Sequence, residues 1–284
     1  MTHPNFSVNG NESSETVLKQ TEDESNREKE PAALSFTDPR GDHYDMNEKL
    51  QKALNNNHGL YQAIFNHYNI HLHIEDSVAY TEKQVPPLYS NLVTRSETWR
   101  PDDHLKKIDR KYEAENWREW SIKDSFRVLD LAIYGFAKLF DAQWIYLERR
   151  NFKPIHSNHC HYQFIEAEKD LLDWRLAWNM DASLGNKIFN AKLLDDPNVH
   201  FVARHDREKM VSGCFTNKTD GVLGISNFFS SDSTILQWSG IVSYLLTQFS
   251  DHVIVGYERE KLVDEVALLG FETIGNLRVW LKKR

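Results

Sequence analysis

Tyr257 and Glu258 stand side by side at the end of the short apolar run VIVG (253–256). A phenol and a carboxylate can donate or accept protons near neutral pH once their surroundings shift them, so the pair is a candidate for acid–base work. The same residues also fit a plainer arrangement: Tyr257 packs at a strand end, and Glu258 opens a helix, where an acid suits the positive end of the dipole. A second cluster, HSNHCHY (156–162), holds His159, Cys160 and His161. His-x-His on a strand puts two imidazoles on one face, as metal sites do. No third ligand stands at a diagnostic spacing, so exposed strand histidines are expected here, as for His71 and His73, and no metal. Cys160 and Cys214 lie far apart in segments that read as buried strands, and both are read as reduced core residues.

The elements that must position these groups have ample material. The chain has 284 residues, 40% of them hydrophobic and 12% aromatic, enough for one large domain or two small ones. No apolar run reaches the roughly 20 residues of a membrane span, and the N-terminus has no basic-then-apolar order. The expected location is the cytoplasm, with the nucleus as alternative. Net charge is −8, which argues against a general nucleic-acid binder; residues 1–40 hold eight acids against four bases and so supply half of it. That stretch is rich in Glu, Ser and Asn, and residues 1–42 are read as a disordered acidic tail.

Laid on itself with a shift of about 135 residues, the sequence repeats. GFAKLFDAQWIYL (135–147) matches GFETIGNLRVWL (270–281), and LYSNLV (88–93) falls on GISNFF (224–229). In the second unit, 237–249 has helical spacing of Ile241, Leu245 and Phe249, 252–257 is a short apolar strand, and 258–271 places Leu262, Val266 and Leu269 on one helix face with Gly270 at the C-cap. The first unit offers a polar helix near 104–116, a strand at 119–124, and a helix over 125–136 capped by Ser125 with Phe126, Leu129 and Ile133 inward. NIHLHIED (69–76) lies opposite NVHFVARHD (198–206), and 207–227 reads as a hairpin with an Asn/Asp/Gly turn. The fold class is therefore α/β with a mixed sheet, built as two related units: 43–152 and 153–284.

This order, a central strand, a loop opening a helix, a strand, a helix ending in Gly-Phe and a last strand, resembles the GNAT superfamily of acetyl-CoA-dependent N-acyltransferases. The resemblance is clearest over 198–284 and weaker over 45–150, so the whole resembles the tandem members of that superfamily. The family motif Gln/Arg-x-x-Gly-x-Gly/Ala uses loop N–H groups and a helix N-terminus to hold the CoA pyrophosphate. QWSGIV (237–242) matches it at Gln237 and Gly240 but has Val242 at the last small position. The resemblance implies an acyl-CoA site in the second unit, with Phe228, Phe229, Ser230, Gln237, Ser239 and Gly240 against the cofactor. It implies Asn227 on the thioester-facing strand, as a substrate-orienting group or a simple turn cap. The family's thiolate-protonating Tyr corresponds to Val266, so Tyr257 or Glu258 would manage protons. Trp174 and Trp178 read as a core face or an acceptor-pocket wall, and Trp99 and Trp238, which follow the two central strands, as core or as a lid on the cleft.

The first unit has no glycine between Leu60 and Tyr134, whereas eight of the twelve glycines lie between Gly185 and Gly275. A phosphate loop that needs close backbone approach is not expected there. Two functions follow. One is an N-acyltransferase moving an acetyl group from acetyl-CoA, or another acyl-CoA, to a small-molecule or peptide amine. The other is a GNAT-fold binding or scaffolding protein without transfer chemistry.

Overall fold

A computed structural model describes residues 39–284 except 102, 156–160, 180–181 and 232. The disorder expected of 1–38, and the His159–Cys160 pair, lie outside the described residues; the remaining four residues of the 1–42 tail already belong to the first helix. That helix, α1 (Pro39–Asn66), leads to β1 (His73–Ile74), β2 (Val78–Tyr80), β3 (Leu92–Thr94), α2 (Asp103–Ala114), β4 (Glu119–Asp124) and β5 (Ala137–Leu147). The second half runs β6 (Tyr162–Ile165), α3 (Glu168–Trp178), α4 (Ala182–Ile188), β7 (Val199–Asp206), β8 (Lys209–Thr219), β9 (Val222–Ser230), α5 (Thr234–Gln248), β10 (Val253–Glu258), α6 (Glu260–Ala267) and β11 (Glu272–Lys283).

All the described strands join one sheet in the order β1-β2-β3-β4-β11-β5-β10-β9-β8-β7-β6. The two halves are interleaved at its centre: β11 lies between β4 and β5, and β5 lies between β11 and β10. Residues 39–284 form one compact unit. Two neighbouring pairs are parallel, β3 with β4 and β9 with β10, one in each half. At the seam, Asp141 of β5 takes two hydrogen bonds from Arg278 of β11, at 2.6 and 3.0 Å. The guanidinium holds the Asp141 carboxyl down at about 2.

Burial follows the alternation of each strand. On one face α1 lays Leu50, Ala53 and Leu54 over Trp144, Tyr146, Val255 and Leu277, then sends Tyr61, Ile64 and Phe65 into a cluster with Tyr89, Trp174 and Phe215. On the other, α5 (Trp238, Ile241, Val242, Leu245) and α6 (Val263, Val266) cover Leu223, Ile225 and Ile254. Trp99, like Trp238, is core. The β8–β9 hairpin turns through Asp220 (φ 50°) and Gly221 (φ 75°), the two positive φ angles that a tight hairpin turn needs.

The two Gly-Phe pairs occupy the same kind of turn. Gly135 (φ 81°) and Gly270 (φ 97°) are both left-handed, and each following Phe donates its N–H to the carbonyl five residues back, Leu131 and Val266. What precedes them differs. The helix expected over 125–136 is one 3₁₀ turn, Ala132–Tyr134, and Ile133, expected inward, is 79% exposed. The buried Asp124 carboxylate accepts the N–H groups of Phe126 and Leu129 and organises a loop instead, with Arg127 at φ 57°. Ser125 is no helix cap: its N–H is tied to Thr94 Oγ1 at 2.8 Å. The Asn anchors also diverge. Asn91 begins the parallel pairing of its half, its N–H bonded to Ser121 O, whereas Asn227 lies beyond the pairing of the other.

Candidate functional site

The second half contains an opening between parallel strands. β9 and β10 pair through Val222–Gly224 and Val253–Val255, and then separate. At the point of parting, a side chain on Gly256 would lie 2.9 Å from the Ile225 carbonyl, so glycine is what the close approach requires. Beyond it β9 is bulged: its register with β8 shifts between Gly213 and Phe215, and Asn227 takes φ 52°. Residues 222–225 are buried, and 226–230 are half-exposed. A bulge at such a place re-aims the strand and leaves backbone groups unpaired with the neighbour.

Each expected residue has a definite place around this mouth. Asn227 donates to Ser226 Oγ at 3.1 Å, so its side chain is held locally. Phe228 stacks on Trp238 (4.9 Å, 27°) on the α5 side, while Phe229 meets Trp174 edge-on (5.3 Å) on the other. Ser230 closes the strand opposite Ser212. Tyr257 and Glu258 are adjacent on β10 and so point to opposite faces. Tyr257 lies on the α1 face, its ring edge-on to Trp144 (5.4 Å) and 4.5 Å from the Lys123 ammonium. Glu258 keeps some exposed surface, yet crowding by protein pushes its carboxyl up to about 8, with Arg259 partly opposing. It is therefore mostly protonated at neutral pH.

Gln237, Ser239 and Gly240 are drawn inward. α5 starts at Thr234, so QWSGIV occupies the body of the helix rather than its first turn. Gln237 is 4% exposed; its Oε1 accepts from Tyr162 Oη (2.6 Å) and Ser212 Oγ (2.9 Å). Ser239 Oγ accepts from the Ile155 N–H (2.8 Å) and donates to its carbonyl (3.0 Å). A Cβ on Gly240 would lie 2.6 Å from the Tyr162 ring, so this glycine admits a neighbouring side chain. Val242 and Val266 are fully buried among core residues. α5 begins after Ser233 at the N-cap, whose side chain makes no capping hydrogen bond, so the backbone N–H groups of the first turn have no side-chain cap there.

The corresponding place in the first half is tied shut by the Ser125–Thr94 bond just past the β3–β4 pairing. A groove of about 560 Å³ lies at the opposite end of β9, between Gln62 and Asn66 of α1 and the 218–221 turn, away from the splay. His71 and His73 are exposed with rings 4.5 Å apart, and among the described residues no three His, Cys, Asp or Glu side chains gather as for a metal. No described helix is long and apolar enough to cross a membrane. Sequence reasoning missed Tyr162 and Lys123. Tyr162 sits in a short edge strand, and Lys123 reads from its neighbours as a solvent-facing charge.

No protein-family profile and no curated protein matches the chain. Solved structures do. A functionally unknown conserved protein from Staphylococcus epidermidis superposes with TM-score 0.59 at 14% identity, covering 75% of this chain and 93% of its own. A GCN5-related N-acetyltransferase from Kribbella flavida gives 0.58 at 11%, with 82% and 95% covered. A tandem GNAT protein from the clavulanic acid biosynthesis pathway gives 0.50 at 10%, with 72% and 74% covered. At these identities the likeness establishes the architecture, and the architecture is the GNAT fold.

Proposed function

We propose that this GNAT-fold chain is an acyl-CoA-dependent N-acyltransferase working through its C-terminal half, 153–284, with 43–152 as a structural partner that borders the acceptor side. The observation that carries the reading is the parting of β9, the strand that leads into α5, from β10 at Gly256. Between parted parallel strands a thioester can lie as an additional strand would, its carbonyl oxygen against a backbone N–H of the bulged segment 226–228. That N–H would stabilise the oxyanion formed when the amine attacks the carbonyl carbon. The first turn of α5 would face the pyrophosphate with its free N–H groups. Phe228, Phe229 and Ser230 would line the cofactor's path, Gln237, Ser239 and Gly240 would fix the helix that presents its N-terminus, and Asn227 would hold the bulge.

Protons need two handlers: the attacking ammonium must lose one, and the departing thiolate must gain one. A Glu258 carboxyl that keeps its proton at neutral pH suits the donor role that buried Val266 cannot take. Tyr257, on the opposite face, would meet the acceptor.

Titration of the protein with acetyl-CoA by calorimetry tests the cofactor site. Ser233→Asp puts a carboxylate at the N-cap, where it suits the helix dipole but repels a phosphate. We expect unchanged or higher melting temperature with acetyl-CoA affinity weakened about tenfold or more. No binding by the natural protein at about 1 mM ligand overturns the reading. Val266 in place of a phenol also supports a second reading, a binding module; acetyl-CoA binding without turnover on an amine panel would select it.

A further inference from the structure

Lys123 on β4 is a cation buried without an anion. It is 3% exposed, and among the described residues no carboxylate lies within ion-pairing distance of it. Its ammonium donates to Asn57 Oδ1 at 3.0 Å and sits among three rings, 5.1 Å from Tyr61, 6.0 Å from Trp144 and 4.5 Å from Tyr257. The phenols of Tyr61 and Tyr257 complete its contacts.

The ammonium's three donors are met by neutral groups; its polar neighbours are themselves short of acceptors. Asn57 must turn its oxygen to the ammonium, and its Nδ2, buried, has no partner. His58 Nδ1 is 3.0 Å from an Arg95 nitrogen; a guanidinium only donates, so Nδ1 is the acceptor and the ring proton lies on Nε2. That N–H is buried and unpartnered, as is Arg95 Nε. One ammonium and three unpaired N–H donors therefore occupy one cluster between α1, the end of β3 and β4. Left alone, buried donors of this kind are costly, and an anion admitted among them would accept from them.

The cluster borders the mouth. Of the three side chains bonded to Lys123, Asn57 and Tyr61 are buried and Tyr257 is half-exposed, so the way in passes Tyr257. The backbone beside it is strained: Leu88, next to buried Tyr89, has φ 71° and is 63% exposed.

We propose that this cluster is the anion subsite of the acceptor pocket, and that the acceptor is an amine carrying a carboxylate, of the amino-acid class. Lys123 and the Asn57 and His58 N–H groups hold the carboxylate, Tyr257 swings aside to admit it, and the amine remains at the mouth. This rests on the acyltransferase reading for the word acceptor, and on the donor cluster alone for the anion.

Thermal shift and calorimetry on the full chain test it, using the common amino acids, their amides, the matching decarboxylated amines, and sodium phosphate and acetate. At least one free amino acid is expected to bind while its amide and decarboxylated form do not. Lys123→Met should weaken that affinity about tenfold or more, the scale of a lost charged hydrogen bond. Methionine relieves a buried charge, so folding should survive. Asn57→Asp gives a second route: it supplies an internal carboxylate beside Lys123, and should raise the melting temperature and abolish ligand binding. The proposal falls if no carboxylate binds, if amides bind equally, or if both variants bind as the natural chain does. Binding of phosphate or acetate without any amino acid overturns the acceptor assignment. The acetyl-CoA titration is read separately, so failure of the transferase reading is distinguishable from failure of the anion site.

Discussion

Glu258 ties the chemistry of the mouth to the stability of the fold. Its carboxyl is raised from 4.5 to about 8 by loss of water. A raised carboxyl means that the folded chain binds a proton the unfolded chain has released between those values. Stability contributed by the group is therefore full below about 4.5 and declines as pH rises through about 8. Glu258→Gln should flatten the decline of melting temperature across that window in a pH series of thermal scans; an unaltered slope would place the titration elsewhere. Gly270 offers a purely conformational contrast. At φ 97°, with a new Cβ 1.9 Å from the Asn151 carbonyl, Gly270→Ala should cost more than about 1–3 kcal/mol, measurable by denaturant unfolding. Gly221→Ala, also at positive φ but in open space, should cost less.

At the scale of elements, the strands and helices of the second half could be read directly. Apolar spacing located α5, β10, α6 and β11, and Asp220-Gly221 located the hairpin. The start of α5 could not be read, and a displacement of one turn changed the work of three residues. Nothing local in QWSGIV reveals that Gln237 reaches Tyr162 and Ser212, 75 and 25 residues away in sequence. The missing helix at 125–136 has the same cause. Its apolar pattern is helical, but Asp124 captures the N–H groups of the next turn, a competition that periodicity does not see. Lys123 is the hardest case, since a lysine in EWSIKD reads as solvated until the aromatic rings from α1, β5 and β10 are placed around it.

For the whole molecule, the Gly-Phe correspondence held in its local geometry while the Asn correspondence did not, so the halves share turns more closely than strand register. Their interleaving makes them dependent. Separated at 152/153, the first fragment keeps β5 without β10 and leaves β4 facing no β11, and the second has the reverse loss. Neither fragment is expected to fold alone, and the two mixed should regain the strand signal in circular dichroism; independent folding of either would contradict the shared sheet. The intact chain should melt in one transition by calorimetry, because no boundary of weak contact separates the halves.

The position of β11 also sets a timetable. It is made after every other strand described and joins β4 to β5, so during synthesis both of those strands present open edges until about residue 283 has left the ribosome. Folding cannot proceed half by half as the chain emerges, and a nascent chain with two waiting edges is a client for chaperones. A stalled or shortened product is then exposed to aggregation at its centre rather than at a frayed end.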